Sequence, residues 1–148
     1  MANIEFQLHL FGPELNKEYT QVTILLMTEM LTRINVKWLD ENPTWPHLYK
    51  SGIRYREDMP GKETMKDLPT MLDDGWGDCA SLGPARCAEL RVAASKKGGA
   101  YAGFRFTPWI RWRKTRDDVW RFHVLCRWIL PNGQVRFEDP SRTLGMGA

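Results

Sequence analysis

The chain has 148 residues, of which 43% are hydrophobic and 26% are charged. A chain of this length buries about two thirds of its unfolded surface, enough for one core without disulfides or metals. No run approaches the roughly 18 consecutive apolar residues of a membrane span. The N-terminus also lacks the basic-then-apolar layout of a signal peptide. We therefore expect a single domain over residues 1–148 that neither enters a membrane nor is secreted through a signal peptide.

Charge is distributed unevenly along the chain. Residues 1–95 hold 10 Lys and Arg against 14 Asp and Glu, a net charge of −4, whereas residues 96–148 hold 11 against 4, a net charge of +7. The basic side chains of the second part are interleaved with tryptophans, which would suit a nucleic acid or an acidic partner. Alternation along strands explains the pattern more simply, with Arg on a solvated face and Trp in the core. We therefore expect no nucleic-acid partner.

The first part of the chain predicts a strand followed by a long helix. Apolar and polar residues alternate over residues 4–10, which is typical of a half-buried strand, and Gly12-Pro13 ends it. Over about residues 16–39 apolar residues recur at helical spacing and should form one face on the core. They are Tyr19, Val22, Leu25, Leu26, Met30, Ile34 and Trp38. Two prolines in the stretch 41–46 then break the helix.

Residues 47–74 predict an ordered loop with short elements. We expect a brief strand at 53–56, a turn at Met59–Gly61 and a short helix at Glu63–Leu68. Irregular chain of this length beside a reactive cysteine suits the walls of a substrate cleft, and it suits an ordinary covering loop equally well. The sequence leaves both alternatives open.

A second helix and a three-stranded meander follow. Small residues dominate the stretch from Cys79 to about Ser95, which lets a helix sit close against a sheet, and Arg86 and Glu89 form an i,i+3 pair on it. Three later stretches are rich in aromatic and β-branched residues and are joined by turn residues. These predicted strands are 101–112, 119–130 and 134–138. We therefore predict an α+β fold with the helix packed on an antiparallel meander.

The stretch Gly75-Trp76-Gly77-Asp78-Cys79 places a thiol at the start of that helix. Asp78 can cap the helix, and the unpaired N–H groups and partial positive charge of a helix N-terminus favour thiolate and can hold an oxyanion. We expect Cys79, with a lowered pKa, to be a nucleophile rather than a structural cysteine. Its backbone N–H is the expected oxyanion donor, with Trp76 and Asp78 as further oxyanion or cleft candidates.

His123 and Asp139 complete a candidate triad in the chain order Cys, His, Asp. His123 would hold Cys79 as an ion pair and pass its proton to the leaving group. Asp139 would accept from the far imidazole nitrogen and fix the tautomer and orientation of the ring. The alternatives are a core histidine bonded to backbone and a turn-forming aspartate before Pro140.

Strand register tests this triad. A two-residue turn at Asn132-Gly133 would set Asp139 opposite Cys126, on the wrong face of the middle strand. A three-residue loop would set Asp139 opposite Leu125, diagonal to His123. The triad therefore requires an odd loop, a bulge, or Asp139 beyond regular pairing.

The composition of the site argues against metals and disulfides. Zinc held by Cys79, His123 and Asp139 would lack paired ligand spacing and a fourth ligand, so we expect no metal and no cofactor. The three cysteines cannot all pair and are not spaced as a disulfide framework. Cys87 and Cys126 are therefore expected to be reduced packing thiols.

Several segments in series resemble the transglutaminase-like branch of the papain-like cysteine peptidase superfamily, most closely the small transglutaminase-like domain proteins encoded by tailed phages. They are Leu48–Tyr55, Gly77-Asp78-Cys79, Arg86–Arg91, His123-Val124 and Glu138–Met146. Together they cover about residues 48–146, with the strand and helix of residues 1–39 packed on that core. The resemblance departs at Ala80 and Ser81, where those proteins often carry acidic residues.

The resemblance implies a papain-like, transglutaminase-like core that uses a Cys79-His123-Asp139 triad. The activity implied is that of a phage-encoded, cysteine-dependent hydrolase or acyl transferase, such as a peptidase, amidase or transglutaminase-like enzyme, acting on a protein or peptide substrate. The alternative is a catalytically silent virion or assembly protein that keeps the fold and contacts other virion proteins. Either function would place the chain in the host cytoplasm or in the virion.

Overall fold

The computed structural model describes residues 3–9, 17–59, 62–118 and 120–147. Within these ranges the chain forms a mixed α+β fold with four α-helices and seven strands in three small sheets. The α+β class predicted from the sequence is therefore confirmed. Judged by length and hydropathy, no helix within the described ranges could span a bilayer.

The elements are numbered in chain order. The strands are β1 Glu5–His9, β2 Arg54–Tyr55, β3 Lys62–Lys66, β4 Trp76–Gly77, β5 Arg105–Lys114, β6 Trp120–Ile129 and β7 Val135–Glu138. The α-helices are α1 Lys17–Glu41, α2 Leu68–Asp74, α3 Cys79–Ser95 and α4 Pro140–Thr143. A single 3₁₀ turn, Leu48–Lys50, lies between α1 and β2.

The N-terminal strand pairs with a strand that the sequence did not predict. β1 runs antiparallel to β3, with Phe6 opposite Met65. The helix predicted at Glu63–Leu68 is wrong, because this stretch supplies the partner that the open edge of β1 requires. α2 begins only after β3, where the side chain of Asp67 accepts a hydrogen bond from Thr70 N at 3.0 Å.

A second small sheet joins β2 to β4. The two strands run parallel, with Arg54 opposite Trp76, and β2 falls within the brief strand predicted at 53–56. Two predicted turns fall on residues outside the described ranges. They are the Gly12-Pro13 end of the first strand and the Pro60-Gly61 part of the Met59–Gly61 turn.

The long helix α1 has nearly the predicted extent but buries a different face. Its buried residues are Thr20, Ile24, Thr28, Leu31, Thr32, Asn35 and Trp38. Four residues of the predicted core face are exposed instead, namely Tyr19, Val22, Leu26 and Met30. The buried hydroxyls are satisfied within the helix, since Thr28 Oγ1 donates to Ile24 O and Thr32 Oγ1 to Thr28 O, both at 2.7 Å. Because these side chains are small, α1 can lie close to α3.

The central helix α3 packs against α1, β5 and β6. Every residue from Cys79 to Leu90 except Arg86 is buried, which the small side chains of this helix permit. Gly83 allows the closest approach, because a Cβ built there would lie 2.8 Å from Val124 Cγ1. The predicted helix on a meander is therefore present, and its packing depends on residues without bulk.

Gly83→Ala is expected to lower the free energy of unfolding by about 1–3 kcal/mol, because the added methyl group overlaps Val124 in a packed core. In an open helix the same change would stabilise by about 0.5–1 kcal/mol. Urea unfolding followed by circular dichroism measures the difference. Gly147→Ala, where a Cβ meets nothing within 4 Å, is the control and should change the free energy of unfolding by less than about 0.5 kcal/mol. A stabilised Gly83→Ala variant would contradict the packing.

The meander has the register that the triad requires. β5 pairs with β6 and β6 with β7, both antiparallel, and Cys126 faces Glu138. This is the pairing produced by a three-residue loop between β6 and β7. Continued by one residue, it sets Asp139 opposite Leu125, diagonal to His123. The odd loop is therefore present.

The two faces of the meander differ in composition. The face toward α3 carries buried apolar residues, including Phe106, Ile110, Val124 and Cys126. The opposite face carries arginines, among them Arg111, Arg113, Arg121 and Arg127. Trp109 alternates onto this arginine face, where the Arg127 guanidinium lies 3.9 Å from the ring centroid. The expectation that tryptophans of this region lie in the core is therefore wrong for Trp109.

The segment between α1 and α3 closes the core. Four of its side chains, Leu48, Ile53, Leu68 and Met71, join one buried cluster with Trp38 and Leu82. Side chains buried in this way fix the segment onto the domain. Of the two alternatives left open by the sequence, this favours a covering loop over the wall of a cleft.

Candidate active site

Cys79 is the first residue of α3, as predicted, but its surroundings differ from the expectation. Only 8% of the residue is exposed. Burial raises the pKa of the Cys79 thiol well above its ordinary value, and the charges of Asp78 and Glu63 raise it further. A hydrogen bond from the Val124 N–H lowers the pKa in part. The expected lowering of the pKa by the helix N-terminus is therefore wrong, because burial outweighs the dipole.

Asp78 takes the N-cap position of α3 without capping it by its side chain. Its backbone oxygen accepts from Leu82 N at 2.9 Å and from Ser81 N at 3.1 Å, but its carboxylate accepts no cap hydrogen bond. The residue is 4% exposed. Asp78 thus occupies the predicted N-cap position through its backbone, and its side chain lies buried beneath the helix start.

His123 and Asp139 contact each other directly. The imidazole Nε2 lies 2.9 Å from both carboxylate oxygens, and each side chain is 23% exposed. Asp139 also accepts from Arg142 N at 3.2 Å and so caps α4. Asp139 therefore caps the helix that begins at Pro140 and contacts His123 at the same time. With Nε2 on Asp139, Nδ1 is the ring nitrogen left for a second partner.

The thiol meets β6 through the residue that follows His123. The Val124 N–H donates to the sulfur, and the Val124 side chain packs in the same buried cluster as Cys79. The charge of Asp139 also raises the pKa of Cys79, which places the carboxylate within electrostatic reach. Alternation along β6 puts His123 on the other side of the strand from Val124. Among the described contacts, His123 is therefore joined to Asp139 and Cys79 packs against Val124, but none joins the thiol to the imidazole.

Trp76, the other oxyanion or cleft candidate, has two cationic side chains over its ring. Lys66 Nζ lies 3.1 Å from the ring centroid and the Arg56 guanidinium 4.7 Å from it. Lys66 is itself 3% exposed in its side chain and pairs with Asp74 at 2.9 Å. Trp76 therefore holds together the segments around β3 and β4 through cation–π contacts.

A polar cluster next to Asp139 was largely missed by the sequence. Glu138 accepts hydrogen bonds from Tyr49 Oη, from Arg86 Nε at 2.6 Å and from Trp128 Nε1 at 3.1 Å. Arg86 also pairs with Glu89 at 3.2 Å, the one contact of this cluster that helical spacing predicted. Because Glu138 adjoins Asp139, the cluster fixes the end of β7 from which Asp139 reaches His123.

The other two cysteines are packing thiols, as their positions predicted. Cys87 and Cys126 are fully buried, and their sulfur atoms lie 2.9 Å apart between α3 and β6. Burial and the neighbouring thiol raise the pKa of Cys87 well above its ordinary value.

Ala80 and Ser81 stand where the transglutaminase-like phage proteins often carry acidic residues, and the structure gives a reason for this difference. Ala80 and Ser81 are fully buried. Ser81 Oγ accepts from Lys66 N at 2.9 Å and donates to Thr64 O at 3.2 Å, which ties the start of α3 to β3. A carboxylate at either position would be buried here without a partner.

No family model, no curated protein and no solved structure matches the chain. What can be said about function therefore rests on the arrangement of its own side chains.

Proposed function

We propose that this chain is a cysteine-dependent hydrolase or acyl transferase with a papain-like, transglutaminase-like core. Cys79 is the nucleophile, His123 the general base and acid, and Asp139 the residue that orients the imidazole. The observation that carries the proposal is the contact of His123 Nε2 with both oxygens of Asp139, beside a helix that begins with a cysteine. In keeping with the resemblance, we take it to be phage-encoded and to act on a protein or peptide.

In this proposal His123 works as a general base at the moment of attack. Burial keeps the proton on the Cys79 sulfur at neutral pH, so an ion pair formed in advance is not used. The Nδ1 atom takes the thiol proton while the sulfur bonds to the amide carbon and the carbonyl electron pair moves to oxygen. Asp139 stays ionised and stabilises the imidazolium that results.

The second half of the reaction returns that proton. The tetrahedral intermediate collapses, the carbon–nitrogen bond breaks, and the leaving amine takes the proton from His123. Water then releases the acyl group in a hydrolase, whereas a second amine releases it in a transferase. The backbone N–H of Cys79 and the start of α3 are suited to hold the oxyanion in both steps.

A catalytically silent virion or assembly protein is the second candidate. It is favoured by the depth of Cys79, which is 8% exposed and carries a thiol whose pKa burial raises. A thiol held neutral beneath its neighbours suits a scaffold that retains the residues without the chemistry. In that case the partners would be other virion proteins.

The two candidates are separated by activity and labelling together. Hydrolysis is followed with dye-quenched casein, and acyl transfer by incorporation of a fluorescent primary amine into casein. Cys79→Ser and His123→Gln are expected to lower the rate by about 10²–10⁴-fold. His47→Gln is the matched control, because the His47 side chain is 78% exposed and lies outside the site, and it should keep the wild-type rate.

Iodoacetamide labelling with peptide mapping covers the case in which casein is not a substrate. Cys79 should label before Cys87 and Cys126, which are fully buried, and its labelling should slow in His123→Gln. The enzyme proposal would be overturned if neither probe is turned over and Cys79 labels at the same rate in His123→Gln as in wild type. That result would favour the catalytically silent virion or assembly protein.

A further inference from the structure

A second group of titratable side chains lies behind Cys79, outside the candidate triad. Asp58 follows β2, Glu63 lies in β3, and Asp78 precedes α3. Each offers one carboxylate oxygen, and these oxygens all lie within 4.8 Å of one another. Like charges at this separation repel unless a proton or a cation lies between them.

The carboxylate of Asp78 is buried beside the carboxyl group of Glu63. The residue is 4% exposed, and neither of its side-chain oxygens accepts a hydrogen bond, nor does Glu63 Oε2. Ser81 is close to Asp78, but its hydroxyl donates to Thr64 O and its N–H to the Asp78 backbone oxygen. Buried polar groups are nearly always paired, so an acceptor set without donors indicates a missing ligand.

The buried ammonium group of the same region, that of Lys66, contacts other groups. Lys66, also in β3, pairs with Asp74 at 2.9 Å and lies over the ring of Trp76. Among the described residues, therefore, no side-chain cation neutralises the three carboxylates.

We propose that Asp58, Glu63 and Asp78 bind a hard divalent cation of about the size of Ca²⁺. Carboxylate oxygens are the ligands that such ions prefer. Ca²⁺ binds oxygen at about 2.3–2.6 Å, so ligands on opposite sides of it lie up to about 5 Å apart, whereas Mg²⁺ at about 2.0–2.1 Å requires a tighter cage. Oxygens that all lie within 4.8 Å of one another can be bridged by an ion of this size.

One ligand of the site is already held in place. Asp58 Oδ1 accepts from Met59 N at 3.0 Å and Oδ2 from Thr64 N at 2.6 Å, which fixes this carboxylate against β3. An ion bound here would join three separate segments of the chain, including the residue immediately before Cys79. Its role is to hold the start of α3 on β3, and it does not depend on the triad being active.

Ion binding is tested on the full chain after treatment with EDTA. Titration calorimetry with Ca²⁺ alone should show one site with a Kd in the range of about 10⁻⁵–10⁻³ M. At a hundredfold excess over Kd the melting temperature should rise by about 5–10 °C. Mn²⁺, which shares the preference for oxygen ligands, should lose its free-ion electron paramagnetic resonance signal on addition of protein.

Variants test which carboxylates bind the ion. Asp78→Asn and Glu63→Gln should each weaken binding at least tenfold, whereas Asp117→Asn, which removes an exposed carboxylate of the turn before β6, should bind like wild type. Cys79→Ser should also bind the ion, which separates this proposal from the proposed activity. Absence of calorimetric heat together with an unchanged Mn²⁺ signal would overturn the site. Wild-type affinity in Asp78→Asn and Glu63→Gln would do the same.

Discussion

Replacing Glu138 with alanine is expected to lower the free energy of unfolding by about 3–5 kcal/mol. The carboxylate is shared by Tyr49, Arg86 and Trp128. The side chains of Glu138 and Arg86 are only 20% and 16% exposed, and their pairing raises the pKa of Arg86. Removing the carboxylate leaves a largely buried guanidinium with Glu89 alone, and removes the acceptor of two further donors.

Urea unfolding of Glu138→Ala and a matched surface variant measures this effect. Glu41→Ala is the control, because Glu41 pairs with Lys37 through side chains that are 57% and 79% exposed. It should cost less than about 0.5 kcal/mol. The double variant Arg86→Met, Glu138→Met should recover part of the stability, since no buried charge is left unpaired. Equal costs for Glu138→Ala and Glu41→Ala would contradict a buried network.

The cation-free protein is expected to lose about 2–3 kcal/mol of stability through Glu63 between pH 5 and pH 7. Burial and the neighbouring carboxylates raise the pKa of Glu63 from 4.5 to about 10. The folded chain therefore keeps a proton that the unfolded chain releases above about pH 4.5. The stability linked to this group is fully present below the unfolded pKa and falls as the pH rises toward the folded one.

Unfolding in EDTA at several pH values isolates the contribution of Glu63. Glu63→Gln cannot titrate there, so its stability should depend less on pH than that of wild type by about 1.4 kcal/mol per pH unit over this range. Glu57→Gln is the control, because the Glu57 side chain is 72% exposed, and it should follow wild type. A wild-type stability that rises from pH 5 to pH 7 relative to Glu63→Gln would contradict the raised pKa.

Elements decided by local pattern were predictable from the sequence. The periodicity of α1, the small residues of α3 and the alternation of the meander each indicate the element that forms. β3 was not predictable, because its state is decided by pairing with β1 some 60 residues away in the chain. The face that α1 buries was missed for a similar reason. Its threonines bond their own helix and so cost little to bury, which apolar periodicity does not register.

The contact between His123 and Asp139 was predictable from the sequence, whereas the electrostatics around Cys79 were not. The Gly-Asp before Cys79 indicated the start of α3, and the three-residue loop, one of two that the sequence allowed, is the one that lets Asp139 reach His123. The direction of the Cys79 pKa was not predictable, because burial is set by how α3 packs and opposes the dipole that the sequence does reveal. The clusters around Glu138 and Asp78 were invisible, since their members are drawn together only by the fold.

Asp139 serves two neighbours at once, the imidazole of His123 and the first turn of α4. Asparagine caps helices as well as aspartate does and keeps one acceptor oxygen, but it carries no charge to balance an imidazolium. Asp and Asn codons differ by one base, so a single point mutation separates the chemistry of this chain from its folding. A lineage can thus lose an activity and keep the fold in one evolutionary step. An apolar residue at position 139 would also remove the cap of α4 and so destabilise the fold.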